Sequence, residues 1–291
     1  MTSIGFIGLG HMGGGMAANL AAKGFAVRAF DLSEEALAKA VAAGCSRAAS
    51  AADAADDAEA VVTMLPAGKH VREVYESALL EAPRGTLLLD CSTIDVATAK
   101  EVAQMATDRG LLAVDAPVSG GITAASAGTL TFMVGGSDEA FARAQPILAA
   151  MGKAVIHAGA NGAGQAAKVC NNMILGAEMI ATCEAFALAE KLGLEADKFF
   201  DIASVSSGQS WSLTSYCPMP GVGPETPADR DYQGGFATAL MLKDLNLSQE
   251  AAASVGADTP MGARARELYQ AFADAGNGGL DFSAIIKTLR G

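Results

Sequence analysis

Along the first half of the chain, short apolar runs alternate with stretches whose apolar positions recur every three or four residues. The runs SIGFIG (3–8), AVRAFD (26–31), AVVTML (60–65), TLLLDC (86–91), LLAVDA (111–116) and LTFMVGG (130–136) read as strands. Several are apolar throughout, the pattern of strands buried on both faces. Between them, GGGMAANLAAKG, SEEALAKAVAAG, GKHVREVYESALL and DVATAKEVAQMATDRG read as helices. Three of the four end on a glycine suited to the position just past a helix end. Strand and helix alternating at this spacing predict a mostly parallel, doubly wound α/β sheet.

After about residue 160 the two-residue period fades. Helical patterns cover 163–191, 195–204, 236–255, 259–275 and 281–289, interrupted by one irregular stretch at 206–235. The chain therefore divides into an α/β domain over 1–162 and an all-α domain over 163–291. The second opens on a helix roughly 40 Å long at about 1.5 Å per residue. Such a rod exceeds the width of a small domain and predicts packing on another domain or subunit, hence a homodimer or homotetramer.

Composition fits two packed domains: 291 residues, 51% of them hydrophobic and 18% charged. The net charge of −12 disfavours a phosphate backbone, so nucleic acid is not an expected partner. A small anion can still bind a local nest of backbone N–H groups. Five scattered cysteines without a CxxC pair predict neither disulfides nor zinc, and no carboxylate or histidine cluster predicts another metal. The N-terminal stretch has no basic segment before Lys23, and the long uncharged run 116–137 is rich in Gly, Ser and Thr. No signal peptide or membrane partner is expected, and a cytoplasmic location is.

The first strand runs directly into Gly8-Leu9-Gly10-His11-Met12-Gly13 and then into a helix. Gly8 permits the tight turn, Gly10 lets the backbone approach a pyrophosphate, and Gly13 lets the helix pack on the strand. The helix N-terminus offers N–H groups and positive partial charge. Asp31, flanked by Phe30 and Leu32, ends the second strand 18 residues after Gly13. A carboxylate there accepts from ribose hydroxyls and repels a 2′-phosphate, so NAD is the predicted cofactor. The N-terminal domain is thus a Rossmann domain.

In GAGQAAKVCNN, Lys168, Asn171 and Asn172 share one face of an otherwise apolar helix. The lysine either snorkels to water or works as an acid/base, since a desolvated ammonium can release and recover a proton near neutral pH. His11 lies in the phosphate loop, and His70 and His157 have no partner by spacing. Trp211 either walls a substrate pocket or anchors the irregular loop.

These segments resemble the β-hydroxyacid dehydrogenases over essentially the whole chain. GFIGLGHMGGGMAANL is similar to that family's cofactor loop, DAPVSGGITAASAGTLTFMVGG (115–136) to its substrate loop, GAGQAAKVCNN to its lysine helix, and KDLNL (243–247) to its second lysine segment. One departure is Gly15, where the family often has proline. The resemblance implies Lys168 as general acid/base, assisted by Asn172. It implies Ser119, Gly120 and Gly121 as the turn that binds the carboxylate of a small 3-hydroxy acid. It also implies Leu65, Pro66, Thr93 and Lys243 beside the cofactor, with Asp244 orienting Lys243. The segments SSGQSWSLTSYCPMPG (206–221), DYQGGF (231–236) and the C-terminal DFSAIIKTLRG point to the branch serving branched-chain amino-acid breakdown. A relative acting on serine or on tartronate or succinic semialdehyde is the alternative. A non-catalytic dinucleotide sensor should lack the lysine or the carboxylate turn.

Overall fold

The computed structural model describes residues 2–290. They form two compact units, one reaching to Lys168 and one beginning at Val169.

The first unit runs β1 (Ser3–Ile7), α1 (Gly13–Ala22), β2 (Ala26–Phe30), α2 (Glu34–Ala42), β3 (Ser46–Arg47), α3 (Ala51–Ala55), β4 (Ala60–Thr63) and α4 (Gly68–Val74). A π-helical turn (Tyr75–Leu79) precedes β5 (Leu87–Asp90), α5 (Val96–Asp108), β6 (Leu112–Asp115), β7 (Val118–Ser119) and α6 (Gly121–Ala127). Then follow β8 (Leu130–Gly135), α7 (Asp138–Ala149), β9 (Gly152–Gly159) and the start of α8 (Ala163–Lys191). The strands lie in the order β3-β2-β1-β4-β5-β6-β8-β7, with β9 on β8. The first six are parallel, whereas β8 is antiparallel to β6 and β7. The order reverses between β1 and β4, and open sheets of this kind bind ligands at the carboxyl ends beside that switch.

Successive strand residues serve opposite cores. Ile4 and Phe6 of β1, Ala60 and Val62 of β4, and Leu87 and Leu89 of β5 enter one apolar cluster. Ile7, Val61 and Leu88 enter the cluster on the other face. A strand covered on both sides has no polar face to show, which is why its sequence reads as a continuous apolar run.

Six strands were legible from the pattern; β3, β7 and β9 were not. β9 packs beside β8 with alternating half-buried and exposed positions, so it lacks that run. α3, α6 and α7 also exceed the four helices read from the pattern. α3 and α6 are five and seven residues long, too short for a helical period to register. α7 carries Pro146 in its interior.

The second unit contains the rest of α8, then α9 (Ala196–Ala203), α10 (Trp211–Thr214), α11 (Thr238–Val255), α12 (Pro260–Phe272) and α13 (Ile286–Leu289). Its core joins Met179, Cys183 and Phe186 of α8 to Met241 and Leu245 of α11, Tyr269 of α12 and Phe282. Asp281 pins the irregular loop. One carboxylate oxygen accepts from Tyr216 Oη at 2.9 Å and Phe236 N at 2.8 Å, the other from Ser283 N at 3.0 Å and Ser283 Oγ at 2.6 Å. Burial pushes this carboxyl above the usual range, partly offset by those donors.

By length and composition α8 could cross a membrane. Its Met179, Ile180, Cys183 and Phe186 instead enter the second unit's core. In soluble proteins a helix that is apolar on most sides is a core helix.

Candidate active site

The glycine loop joins β1 to α1. Gly8 adopts φ +94°, a left-handed value that disfavours any side chain. A Cβ on Gly13 would stand 2.0 Å from the Gly8 carbonyl oxygen, whereas one on Gly10 would meet no atom within 4 Å. The helix is thus docked hard on the turn while the loop's outer side stays open. No side chain caps α1, leaving its first turn to an anion. Asp31 closes the turn from β2, accepting from Leu9 N at 2.6 Å through one oxygen and from Ser33 N at 2.7 Å through the other. Leu32 beside it is 93% exposed, an apolar face in water next to that carboxylate. Arg28 is turned away, paired with Asp53 at 2.5 Å, and cannot serve a 2′-phosphate. The loop, the uncapped helix, the carboxylate and the exposed leucine together fit NAD. Its pyrophosphate would lie on Gly10–Gly13 and its adenosine ribose on Asp31.

Gly15 turns out to have its own role. A Cβ there would lie 3.0 Å from the backbone of Ala125 and Ser126, so the missing side chain admits α6 against α1. Asn19 staples the two helices, donating to Ala125 O at 2.8 Å. The element that follows Ser119–Gly121 is thereby fixed to the cofactor helix. Ser119 ends β7, opposite Thr131 of β8. Gly120 and Gly121 follow at φ +133° and +69°, and no side chain caps α6.

A buried polar network lies at the carboxyl ends of β4, β5 and β6. Asp90 accepts from Thr63 Oγ1 at 2.8 Å and Ser92 Oγ at 2.6 Å. Ser92 Oγ in turn accepts from Leu65 N at 2.8 Å, which fixes the Leu65-Pro66 corner. Gln165 donates to Ser92 O at 2.7 Å and accepts from Ile94 N at 3.2 Å, bracketing Thr93. Asp115 accepts from Gly162 N at 2.6 Å and Gln165 N at 2.9 Å. Asp90 and Asp115 are opposite residues of β5 and β6. Burial pushes each carboxyl up to about 6, against the pull of its hydrogen bonds. A cavity of about 10 Å³ bordered by Tyr75, Asp90 and Asp115 adjoins them. That volume suits a single water, and Asp90 Oδ2 has no protein partner. None of Asp90, Ser92 and Gln165 was singled out from sequence. Asp90 closes a run read as strand, and Gln165 stood in the lysine motif as an unspecified position.

Lys168 lies on the second turn of α8 and is 7% exposed. Asn172 is one turn on along the same helix face and also buried. Its side chain donates to Asp244 Oδ2 at 2.5 Å and accepts from Asn171 at 3.0 Å. Lys243 Nζ stands 3.7 Å from the other Asp244 oxygen. The carboxylate that the KDLNL motif suggested for Lys243 therefore also holds Asn172. Trp211 opens α10, half-exposed, with its ring stacked on Tyr216 at 4.9 Å. Tyr216 is held by Asp281, so the indole rests on a fixed platform.

One histidine departs from its reading. His157 does have partners: it stacks on Phe141 at 4.4 Å, and its Nε2 lies 2.9 Å from Gly136 O. Partners 16 and 21 residues away in sequence leave no mark in local spacing. His11 is exposed in the glycine loop.

A 3-2-1-4-5-6 parallel sheet with this glycine loop and a carboxylate at the end of β2 is the architecture of a nicotinamide-dinucleotide oxidoreductase. Residues 3–159 match the model of the NAD-binding domain of 6-phosphogluconate dehydrogenase, and residues 162–289 match that of the NAD-binding domain of NADP-dependent 3-hydroxyisobutyrate dehydrogenase. The 3-hydroxyisobutyrate dehydrogenase of Pseudomonas aeruginosa is 50% identical over 100% of this chain and 99% of its own. The NAD-dependent L-serine dehydrogenase of the same organism is 49% identical over 99% and 97%. A solved structure of Mycobacterium tuberculosis 3-hydroxyisobutyrate dehydrogenase with L-serine superposes with a TM-score of 0.96 at 49% identity, covering 100% of both chains. The chain belongs to the 3-hydroxyisobutyrate dehydrogenase family and is an NAD-dependent oxidoreductase.

Proposed function

We propose that this enzyme oxidises 3-hydroxyisobutyrate to methylmalonate semialdehyde, a step of valine breakdown, with Lys168 as general acid/base. The observation that carries this reading is the buried Lys168 one helical turn from Asn172, on a helix docked at the sheet's carboxyl edge. NAD, when bound, accepts the hydride from the carbinol carbon. As the neutral amine, Lys168 Nζ takes the hydroxyl proton that departs with that hydride. Asn172 holds the reacting oxygen or the amine, its own orientation fixed by Asp244. Ser119 Oγ and the N–H groups of Gly120 and Gly121 hold the substrate carboxylate, because successive N–H groups in such a turn form an anion nest. Leu65, Pro66 and Thr93 line the cofactor at strand ends, and Lys243 closes on it. Trp211, half-exposed on α10, is assigned to wall the substrate pocket and keep water from the transfer path. The experiment is Lys168→Ala. The kcat is expected to fall about 10²–10⁴-fold while NAD still binds. Retention of a tenth or more of the wild-type rate rules the assignment out.

Serine is the second reading, favoured by the L-serine dehydrogenase relative. Both substrates are HO–CH2–CH(X)–COO⁻, with X a methyl or an ammonium. A steady-state panel of both acids with NAD and NADP separates the readings by kcat/KM.

The exposed side of α8 carries Ile174 and Leu188, with Leu192 just past its end, at 56%, 59% and 76% exposure. An apolar stripe on so long a helix supports a homodimer or homotetramer. Sedimentation at micromolar concentration tests it, and a monomer alone overturns it. The five cysteines are free thiols, which supports a cytoplasmic setting.

A further inference from the structure

Helix α8 has no cap of its own at the start. Gly162, the residue before it, offers no side chain. The orphan N–H groups of a first turn need acceptors. Ala163 N finds Ala160 O at 2.9 Å. The N–H groups of Gly162 and Gln165 both donate to one carboxylate, that of Asp115, some 47 to 50 residues earlier. An anion at this end also opposes the helix dipole. The approach leaves no slack. A Cβ on Gly164 would lie 2.3 Å from Met133 O and 2.6 Å from Asp115 O.

A second fixture prevents rotation about the helix axis. Gln165 is fully buried, and its amide is bound at both ends, to Ser92 O and Ile94 N. Lys168 follows Gln165 at i+3, on the same side of the helix. Asp115 sits four residues before Ser119, on the segment that carries the carboxylate turn.

We propose that Asp115 and Gln165 are positioning residues, which together set the depth and rotation of α8 so that Lys168 meets the hydroxyl of a substrate held by the Ser119–Gly121 turn. The proposal rests on the acid/base role of Lys168. Asp115 fixes how far the helix enters, because the N–H groups of Gly162 and Gln165 each bind one of its two oxygens. Gln165 fixes how the helix is turned, because its planar amide has one orientation that satisfies both loop partners. Neither side chain needs to touch substrate or cofactor.

The test is a double-mutant cycle on the full-length enzyme. Gln165→Met keeps the volume and removes both amide contacts. Asp115→Asn keeps the shape and turns one acceptor into a donor. With Lys168 present, each is expected to lower kcat tenfold or more, since a misplacement of about 1 Å can cost about 10²-fold. The KM for the acid should change less than about threefold, because the Ser119–Gly121 turn that holds it makes no contact with either amide partner of Gln165. In a Lys168→Ala background the same substitutions should change the residual rate less than about twofold, because no amine is left to misplace. Equal losses in both backgrounds would show a general structural role and overturn the proposal. So would an unchanged kcat in Gln165→Met. A Lys168→Ala enzyme with near-normal kcat fails the acid/base reading itself, a result distinct from additivity in the cycle. If Asp115→Asn does not fold, Gln165→Met decides alone.

Discussion

The side-chain amide of Asn172 donates to Asp244 at 2.5 Å, linking two buried residues 72 positions apart, on α8 and α11. The pair fixes which way the asparagine faces and leaves its oxygen to the Asn171 side. Asp244→Ala removes the acceptor and strands a buried donor, a loss of about 1–3 kcal/mol. Denaturant unfolding should show that loss. The kcat should fall with it, since Asn172 is then free to turn.

Asp31 is the residue proposed to set the cofactor preference. Its carboxylate is already held by Leu9 and Ser33 and can still accept from a ribose. Asp31→Ala should cost about 1.5–3 kcal/mol in NAD affinity, roughly ten- to a hundredfold, since a charged acceptor is lost. The same change removes the repulsion of a 2′-phosphate. The NAD-to-NADP ratio of kcat/KM should therefore collapse toward one.

Asp90 and Asp115 give stability a pH dependence of unusual sign. Each carboxyl is pushed up to about 6 in the folded protein, above the ordinary value of 3.8. Between those values the folded chain binds more protons than the unfolded one, so these groups make stability fall as pH rises. Below about 4 both states are protonated, and the penalty is absent; above about 6 it is complete. Asp90→Asn cannot ionise. Relative to wild type it should gain between pH 4 and pH 7, by no more than about 3 kcal/mol. Chemical unfolding across that range measures the difference, and a flat difference sinks the idea.

Trp211 is the sole tryptophan, stacked on a tyrosine that Asp281 holds. Asp281→Ala leaves four donors without their acceptor, two of them on Ser283. The second unit should lose about 3 kcal/mol or more, as when a buried polar network is broken. Trp211 emission should shift to the red as the ring leaves its platform. Tyr216→Phe removes one donor only and should keep the stack and the emission maximum.

The legible parts of the sequence were those governed by local pattern. β1, β4 and β5 announced themselves because each is buried on both faces. The glycine loop was legible because Gly8 and Gly13 have no substitute there. Lys168 and Asn172 were legible because a charge and an amide stand out on an apolar helix. The frame around them was not. Asp115, Ser92 and Gln165 act across 50 to 73 residues. Their types are common in strands, turns and helix starts, and nothing in their own neighbourhood marks them. β9 escaped because it is partly exposed, and His157 because its partners come from the β8–α7 turn and from α7.

The division between the two units falls inside α8, at Lys168 and Val169, and not in a linker. Exchanging the halves of this enzyme with those of a relative at the loop before α8 would therefore carry residues 163–168 away from the unit they belong to. A chimaera that keeps both units whole joins mid-helix and in register. One residue too many would swing everything beyond the joint through about 100° and take Asn172 off the lysine's face.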